Sequence, residues 1–155
     1  MYVRAVVNAI VDRSKGILLV KRKERPGDLW AGDVALPGGL IRPGENIITA
    51  GLRETLEETN IDPEDLHVFG VVGLEYPRNA PWLKTAVLLS KPRGRIVPSP
   101  GGEVDEVLWF NPRRVDGLKL LYKNDKLVIG YYLNGKIVWG MTWRIIRKLL
   151  FKGII

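Results

Sequence analysis

The chain has no cysteine and a single histidine among its 155 residues. Disulfides, thiolate metal sites and cysteine nucleophiles are therefore excluded, and any metal must be held by oxygen or by His67. Long apolar runs are also missing, since no uncharged stretch approaches the roughly 18 residues a membrane-spanning helix needs. The segment Met1 to Asp12 lacks the apolar core and small-residue cleavage site of a secretory signal and is rich in β-branched residues. It reads as a first strand, and the expected location is cytoplasmic, away from membranes. No internal repeat or low-complexity linker interrupts the chain, which leaves one domain over residues 1–155.

Hydrophobic residues make up 46% and charged residues 26%, an ordinary balance for a chain that folds on its own core. A formal charge of +7 favours anionic partners, either phosphorylated small molecules or RNA. The interleaved aromatics and glycines of an RNA-recognition surface are missing, so a nucleic-acid partner is not expected. A catalytically silent nucleotide- or RNA-binding module is the alternative that the charge leaves open.

Residues 17–22 form a short apolar run with basic residues at its exit, as in a buried strand. Prolines and glycines at 37–39 and 43–44 make residues 37–45 a loop. From Asn46 to Thr59 no proline occurs, and Ile48, Gly51, Leu52, Thr55, Leu56 and Thr59 recur at helical spacing, which predicts a helix with that face on the core. Asn46 is a suitable N-cap and Asn60 a suitable left-handed terminator, with Pro63 barring resumption. Further strands are expected over His67 to Tyr76, Trp82 to Ser90 and Val104 to Phe110, with a turn-rich loop from Pro98 to Gly102. Asn134-Gly135 predicts a hairpin between 127–133 and 136–139, and residues 139–151 read as a second helix that packs on the core or on a second subunit. The whole is one mixed α/β domain.

At about 100° per residue, Glu54, Glu57 and Glu58 fall on the side opposite the expected apolar face, at spacings where side chains meet. Alone, they read as a solvated acidic face. A hard divalent cation is the other way to offset three converging like charges, and magnesium prefers oxygen ligands.

Their setting is informative. The segment Gly39-x5-Glu45-x7-Arg53-Glu54-Thr55-Leu56-Glu57-Glu58-Thr59-Asn60-Ile61 resembles, over 23 positions, the Nudix box of the Nudix (MutT-like) hydrolases: glycine, five residues, glutamate, seven residues, then Arg-Glu-U-x-Glu-Glu-x-Gly-U, with U aliphatic. Thr55 stands for an aliphatic residue and Asn60 for the final glycine. A threonine methyl packs acceptably at a helix-core boundary, and asparagine tolerates left-handed backbone.

The resemblance implies a Nudix fold, an α/β fold of the α+β type with a mixed β-sheet sandwiched between helices. It also implies hydrolysis of a diphosphate linkage within a nucleotide derivative, with Mg2+, or Mn2+ in its place, as cofactor. By the same resemblance Glu54, Glu57 and Glu58, with the carbonyl of Gly38, hold the metal. Arg53 and Glu45 form the ion pair that steadies the loop, where Gly39 serves as a turn. The family's general base, a glutamate on a later loop, corresponds to Glu103 or Glu106, with Glu103 preferred because it adjoins Gly101-Gly102. Arg22 and Arg25 are candidate phosphate contacts, whereas Lys21 reads as a solvent-facing charge. Trp30 and Trp82 lie on loops where a base could stack, with Trp30 the candidate binder. His67 has no partner pattern and reads as structural or exposed.

Two further stretches, Ala31 to Gly39 and Gly135 to Ile146, are similar to the coenzyme A diphosphatase branch of the family, although Leu36 replaces its usual phenylalanine and Val20 its threonine. That similarity implies a coenzyme A-like substrate, with ADP-ribose or oxidised nucleoside triphosphates as alternatives. A homodimer is left open.

Overall fold

The computed structural model describes residues 2–27, 32–115 and 117–155. In chain order the elements are β1 (Ala5–Asp12), β2 (Gly16–Arg22), β3 (Val34–Ala35), β4 (Gly38–Leu40), α1 (Ile47–Thr59), a 3-10 turn (Pro63–Asp65), β5 (Leu66–Glu75), β6 (Thr85–Pro92), β7 (Val104–Phe110), β8 (Lys119–Lys123), β9 (Lys126–Leu133), β10 (Lys136–Trp139) and α2 (Gly140–Phe151).

β1 organises the main sheet. It runs parallel to β6 from Ala5↔Thr85 to Ile10↔Ser90 along one edge. On its other edge the first half pairs antiparallel with β4, and the end pairs with β2 at Val11↔Ile17. β2 in turn carries β3 and β7, and β5 flanks β6. Successive side chains of a strand point to opposite faces, so a strand apolar throughout must be covered twice. Val6 meets Ala50 of α1 beside Ala86 and Leu88, while Val7, Ala9 and Val11 join Ile145, Ile146 and Leu149 of α2. The mixed sheet thus lies between two helices, as the sequence predicts. Beside it, β8, β9 and β10 form a three-stranded antiparallel sheet that contributes Tyr131 and Val138 to the α2 side of the core.

The structure differs from the sequence pattern in three places. The first is the loop over residues 37–45, within which Gly38–Leu40 forms β4, paired with Ala5, Val6 and Val7. Prolines and glycines mark breaks in local propensity, but here glycine lets backbone slide between β1 and α1. The second difference is β8, a strand that no local signal announces: its turn into β9 uses Asn124 (φ 50°) and Asp125 (φ 61°), two left-handed residues without the glycine that marks the Asn134-Gly135 hairpin.

The third concerns the face of α1. Ile48 and Leu56 are each 43% exposed, while Ala50, Gly51, Thr55, Glu58 and Thr59 are buried. Polar pairing sets this orientation. Asn8, fully buried on β1, donates to Thr55 Oγ1 (3.0 Å) and accepts from Ser90 Oγ (2.7 Å), while Thr55 Oγ1 donates to the Gly51 carbonyl (2.8 Å). Buried polar groups need partners, and these three side chains supply one another's. The Thr55 hydroxyl, rather than its methyl, therefore explains the residue found where the motif has an aliphatic one. The helix ends match expectation: Asn46 Oδ1 accepts from the Thr49 N–H (2.8 Å), and Asn60 is left-handed at φ 56°.

Candidate active site

α1 and β4 bring the acidic residues of the motif to one cleft of about 600 Å³. Glu54, Glu57 and Glu58 line it from the helix, Gly38 and Gly39 from β4, Arg22 from β2, and Glu103 from the loop before β7. Leu40, Arg42 and Gly102 complete the lining. Arg42, whose side chain is 3.7 Å from Glu57, was not singled out in the sequence, because one arginine in a proline- and glycine-rich turn carries no periodic signal. A second groove of similar size, lined by Val3, Ile41, Ile47, Ile48 and Val71 among others, is mainly apolar and offers no comparable group of carboxylates.

Arg53 is the hub. Its Nε and Nη2 grip the two oxygens of Glu45 at 2.7 and 2.9 Å, a bidentate pair, and Nη2 also donates to the Leu40 carbonyl at 3.1 Å. Its Nη1 reaches Glu54 at 2.8 Å and Glu57 at 3.3 Å. One guanidinium thus ties the β4–α1 loop to the helix and steadies two carboxylates. Hydrogen bonds from Arg53 and the Arg42 N–H pull the Glu45 carboxyl down to about 2.

Glu58 has the most unusual surroundings. Only 7% of the residue is exposed, and Oε1 accepts the Gly38 N–H at 2.8 Å. Burial pushes its carboxyl up to about 7; that hydrogen bond opposes the rise, and the charges of Glu54 and Glu57 add to it. Next to it, Gly39 faces Glu54 so closely that a Cβ would lie 2.6 Å from the carboxylate. Any larger residue here would have to displace the Glu54 carboxylate from its present place.

Among the described residues no three acidic or histidine side chains form a closed ion cage, and Glu54 and Glu57 are both paired with Arg53. The chemistry of the donors nonetheless fits a hard divalent cation: four carboxylates face one cleft, and one of them is buried where its charge lacks solvent. Glu57, with 45% of its side chain exposed, is free to turn toward such an ion.

The other candidates separate clearly. Glu103 forms an ion pair with Arg25 at the rim of the cleft. Glu106, on β7, is instead 3.3 Å from Lys136 of β10 and does not line the cleft. Trp30 lies outside the described residues. Trp82 is exposed and His67 lies tilted against Phe69 at the surface, neither of them lining the cleft.

Comparison with known proteins bears on this geometry. The NUDIX domain pattern matches residues 1–130. The chain is 40% identical over 65 residues to an ADP-ribose pyrophosphatase of Methanocaldococcus jannaschii, covering 42% of this chain and 37% of that protein. It is 31% identical over 135 residues to a Bacillus subtilis protein provisionally described as an 8-oxo-dGTP diphosphatase, covering 87% and 83%. The chain thus spans little more than a third of the first relative's length. Among solved structures, a MutT/nudix family protein from Enterococcus faecalis superposes with a TM-score of 0.61 at 23% identity over 97% of this chain and 61% of that one. The first of these relatives is named as a pyrophosphatase and the second, provisionally, as a diphosphatase. With the family pattern covering most of its length and the motif's carboxylates gathered in one cleft, this chain belongs to the NUDIX family.

Proposed function

We propose that the protein is a magnesium-dependent diphosphohydrolase that cleaves the diphosphate linkage of a nucleoside diphosphate derivative. The observation that carries this reading is the cleft itself, where Glu54, Glu57, Glu58 and Glu103 converge beside Arg22 and Arg42. When bound, Mg2+ or Mn2+ neutralises diphosphate oxygens and lowers the pKa of an attacking water. Glu54, Glu57 and Glu58, with the Gly38 backbone, would hold it, and Arg53 with Glu45 keeps helix and loop in register. Arg22 and Arg42 supply positive charge for phosphate oxygens at the same cleft. Arg25 adds a cation at the rim, where an incoming phosphate competes with Glu103 for it.

Glu103 serves as the general base in this reading, since it lines the cleft and Glu106 does not. Positioned proton transfer contributes about 10²- to 10⁴-fold, so Glu103→Gln should lower turnover by that order and Glu106→Gln hardly at all. Turnover of both variants at saturating magnesium decides: a crippled Glu106 variant beside an unaffected Glu103 variant reverses the assignment.

For the substrate, a coenzyme A-like molecule is the first candidate, supported by the similarity of residues 31–39 and 135–146 to that branch. The relatives' names point elsewhere, one to ADP-ribose and one to an oxidised nucleotide. The test is incubation with magnesium and a panel of coenzyme A, ADP-ribose and 8-oxo-dGTP, with both products identified. Cleavage within the diphosphate that stops with excess chelator and returns with magnesium is expected. Cleavage that persists in chelator, or magnesium-independent binding without turnover, overturns the reading.

A further inference from the structure

Asn60 occupies the place where the family motif ends in glycine, and its backbone adopts the left-handed conformation that glycine would supply. Its side chain does what glycine cannot. Asn60 Nδ2 donates to the Ser99 carbonyl at 3.1 Å and the Ser99 hydroxyl at 3.0 Å, with the Pro100 carbonyl at 3.4 Å. The same loop returns two backbone hydrogen bonds: the Ser99 N–H donates to the Thr59 carbonyl (2.9 Å) and the Gly101 N–H to the Glu58 carbonyl (3.1 Å). The final carbonyls of a helix have no partner within it, and here residues 99–101 provide them. The approach is tight enough that a Cβ on residue 101 would lie 2.5 Å from the Glu57 carbonyl oxygen.

This loop leads directly to Glu103. At its far end the Lys23 N–H donates to the Glu103 carbonyl (2.9 Å), and Lys23 Nζ to the Gly102 carbonyl (3.1 Å). The segment is thus fastened at one end to the helix that carries Glu57 and Glu58, and at the other to the exit of β2. Asn60 provides the side-chain part of the first fastening.

We infer that Asn60 is a positioning residue: its amide clamps residues 99–101 onto the C-terminal end of α1 and so fixes Glu103 relative to the α1 carboxylates. The inference rests on the assignment of Glu103 as base. A displacement of about 1 Å in a reacting group can lower a rate by about 10²-fold, so holding this separation has a catalytic effect without contact with substrate.

Asn60→Gly is the informative variant, because glycine keeps the left-handed backbone at ease while removing the three side-chain contacts. The expected result is a kcat lower by roughly 10- to 100-fold, with KM and the magnesium midpoint little changed, since the metal-facing carboxylates stay on the helix. Asn60→Asp, which tolerates the same backbone but presents an acceptor to the Ser99 and Pro100 carbonyls, should lose as much. In a Glu103→Gln background, Asn60→Gly should have almost no additional effect. A loss that multiplies undiminished in that background, or a kcat equal to the parent's, overturns the inference. Amide hydrogen exchange at Ser99 and Gly101, compared between Glu57→Gln and Glu57→Gln/Asn60→Gly proteins, reads the clamp without turnover. Exchange should rise at least about 10-fold in the double variant. Unchanged exchange refutes the clamp even if hydrolysis is confirmed, whereas faster exchange in a protein that hydrolyses nothing refutes the proposed function instead.

Discussion

Glu57→Gln should reduce turnover by roughly two to four orders of magnitude while leaving the thermal unfolding midpoint close to that of the parent. The size follows from charge. A glutamine keeps the shape and one oxygen but removes the full negative charge that a hard divalent ion seeks, in the cleft proposed above to hold such an ion against phosphate. The intact fold follows from exposure: 45% of the Glu57 side chain faces solvent, and its ion-pair partners are Arg53 at 3.3 Å and Arg42 at 3.7 Å. Exposed pairs of this kind contribute about 0 to 1 kcal/mol. Arg53 also retains its stronger grip on Glu45 and Glu54 in the variant. The measurement is kcat at saturating magnesium together with a melting curve. A variant with parental turnover would reduce Glu57 to a surface charge.

Glu58→Gln should behave differently, losing activity yet becoming more stable than the parent in metal-free buffer above neutral pH. With its carboxyl pushed up from 4.5 to about 7 by burial, the folded protein retains a proton that the unfolded chain has already released. The stabilisation from that retained proton is fully present below pH 4.5, declines as pH rises toward about 7, and is absent above it. A shift of that size corresponds to on the order of 3 kcal/mol, because the group is 93% buried by area and little screened by solvent. Glutamine carries no charge to bury, and its side-chain oxygen can still accept the Gly38 N–H. The variant's melting temperature at pH 8 in chelator should therefore exceed the parent's by roughly 5 to 10 °C, with the two converging near pH 4.5. Parallel curves at every pH would show that Glu58 is not strained by its charge. The pairing of lower activity with higher stability marks a buried acid retained for function at the expense of the fold.

This contrast between neighbouring glutamates was not visible in the sequence. Helical spacing placed Glu54, Glu57 and Glu58 together on one side of α1, and they do line one cleft. It also placed all three away from the core, whereas Glu58 is buried, because the helix is turned about its axis relative to its apolar residues. Nothing local reveals that rotation. It depends on Asn8 of β1 and Ser90 of β6, 47 and 82 residues distant in the bonds they make, meeting Thr55 and one another inside the protein.

The helix limits, the Asn46 and Asn60 caps, the Asn134-Gly135 hairpin and the family were all legible in the residues, because each rests on chemistry within a short span. Capping, left-handed tolerance and a 23-residue motif act locally and leave a local signature. Tertiary structure alone decided which oxygens face the cleft. β4 exists because glycines let the chain pass between β1 and the Glu54 carboxylate, and Glu103 is separated from Glu106 by whether Arg25 or Lys136 lies opposite. Those outcomes depend on backbone approach and charge pairing between segments far apart in the chain, and such distances are set only when the sheet closes against both helices.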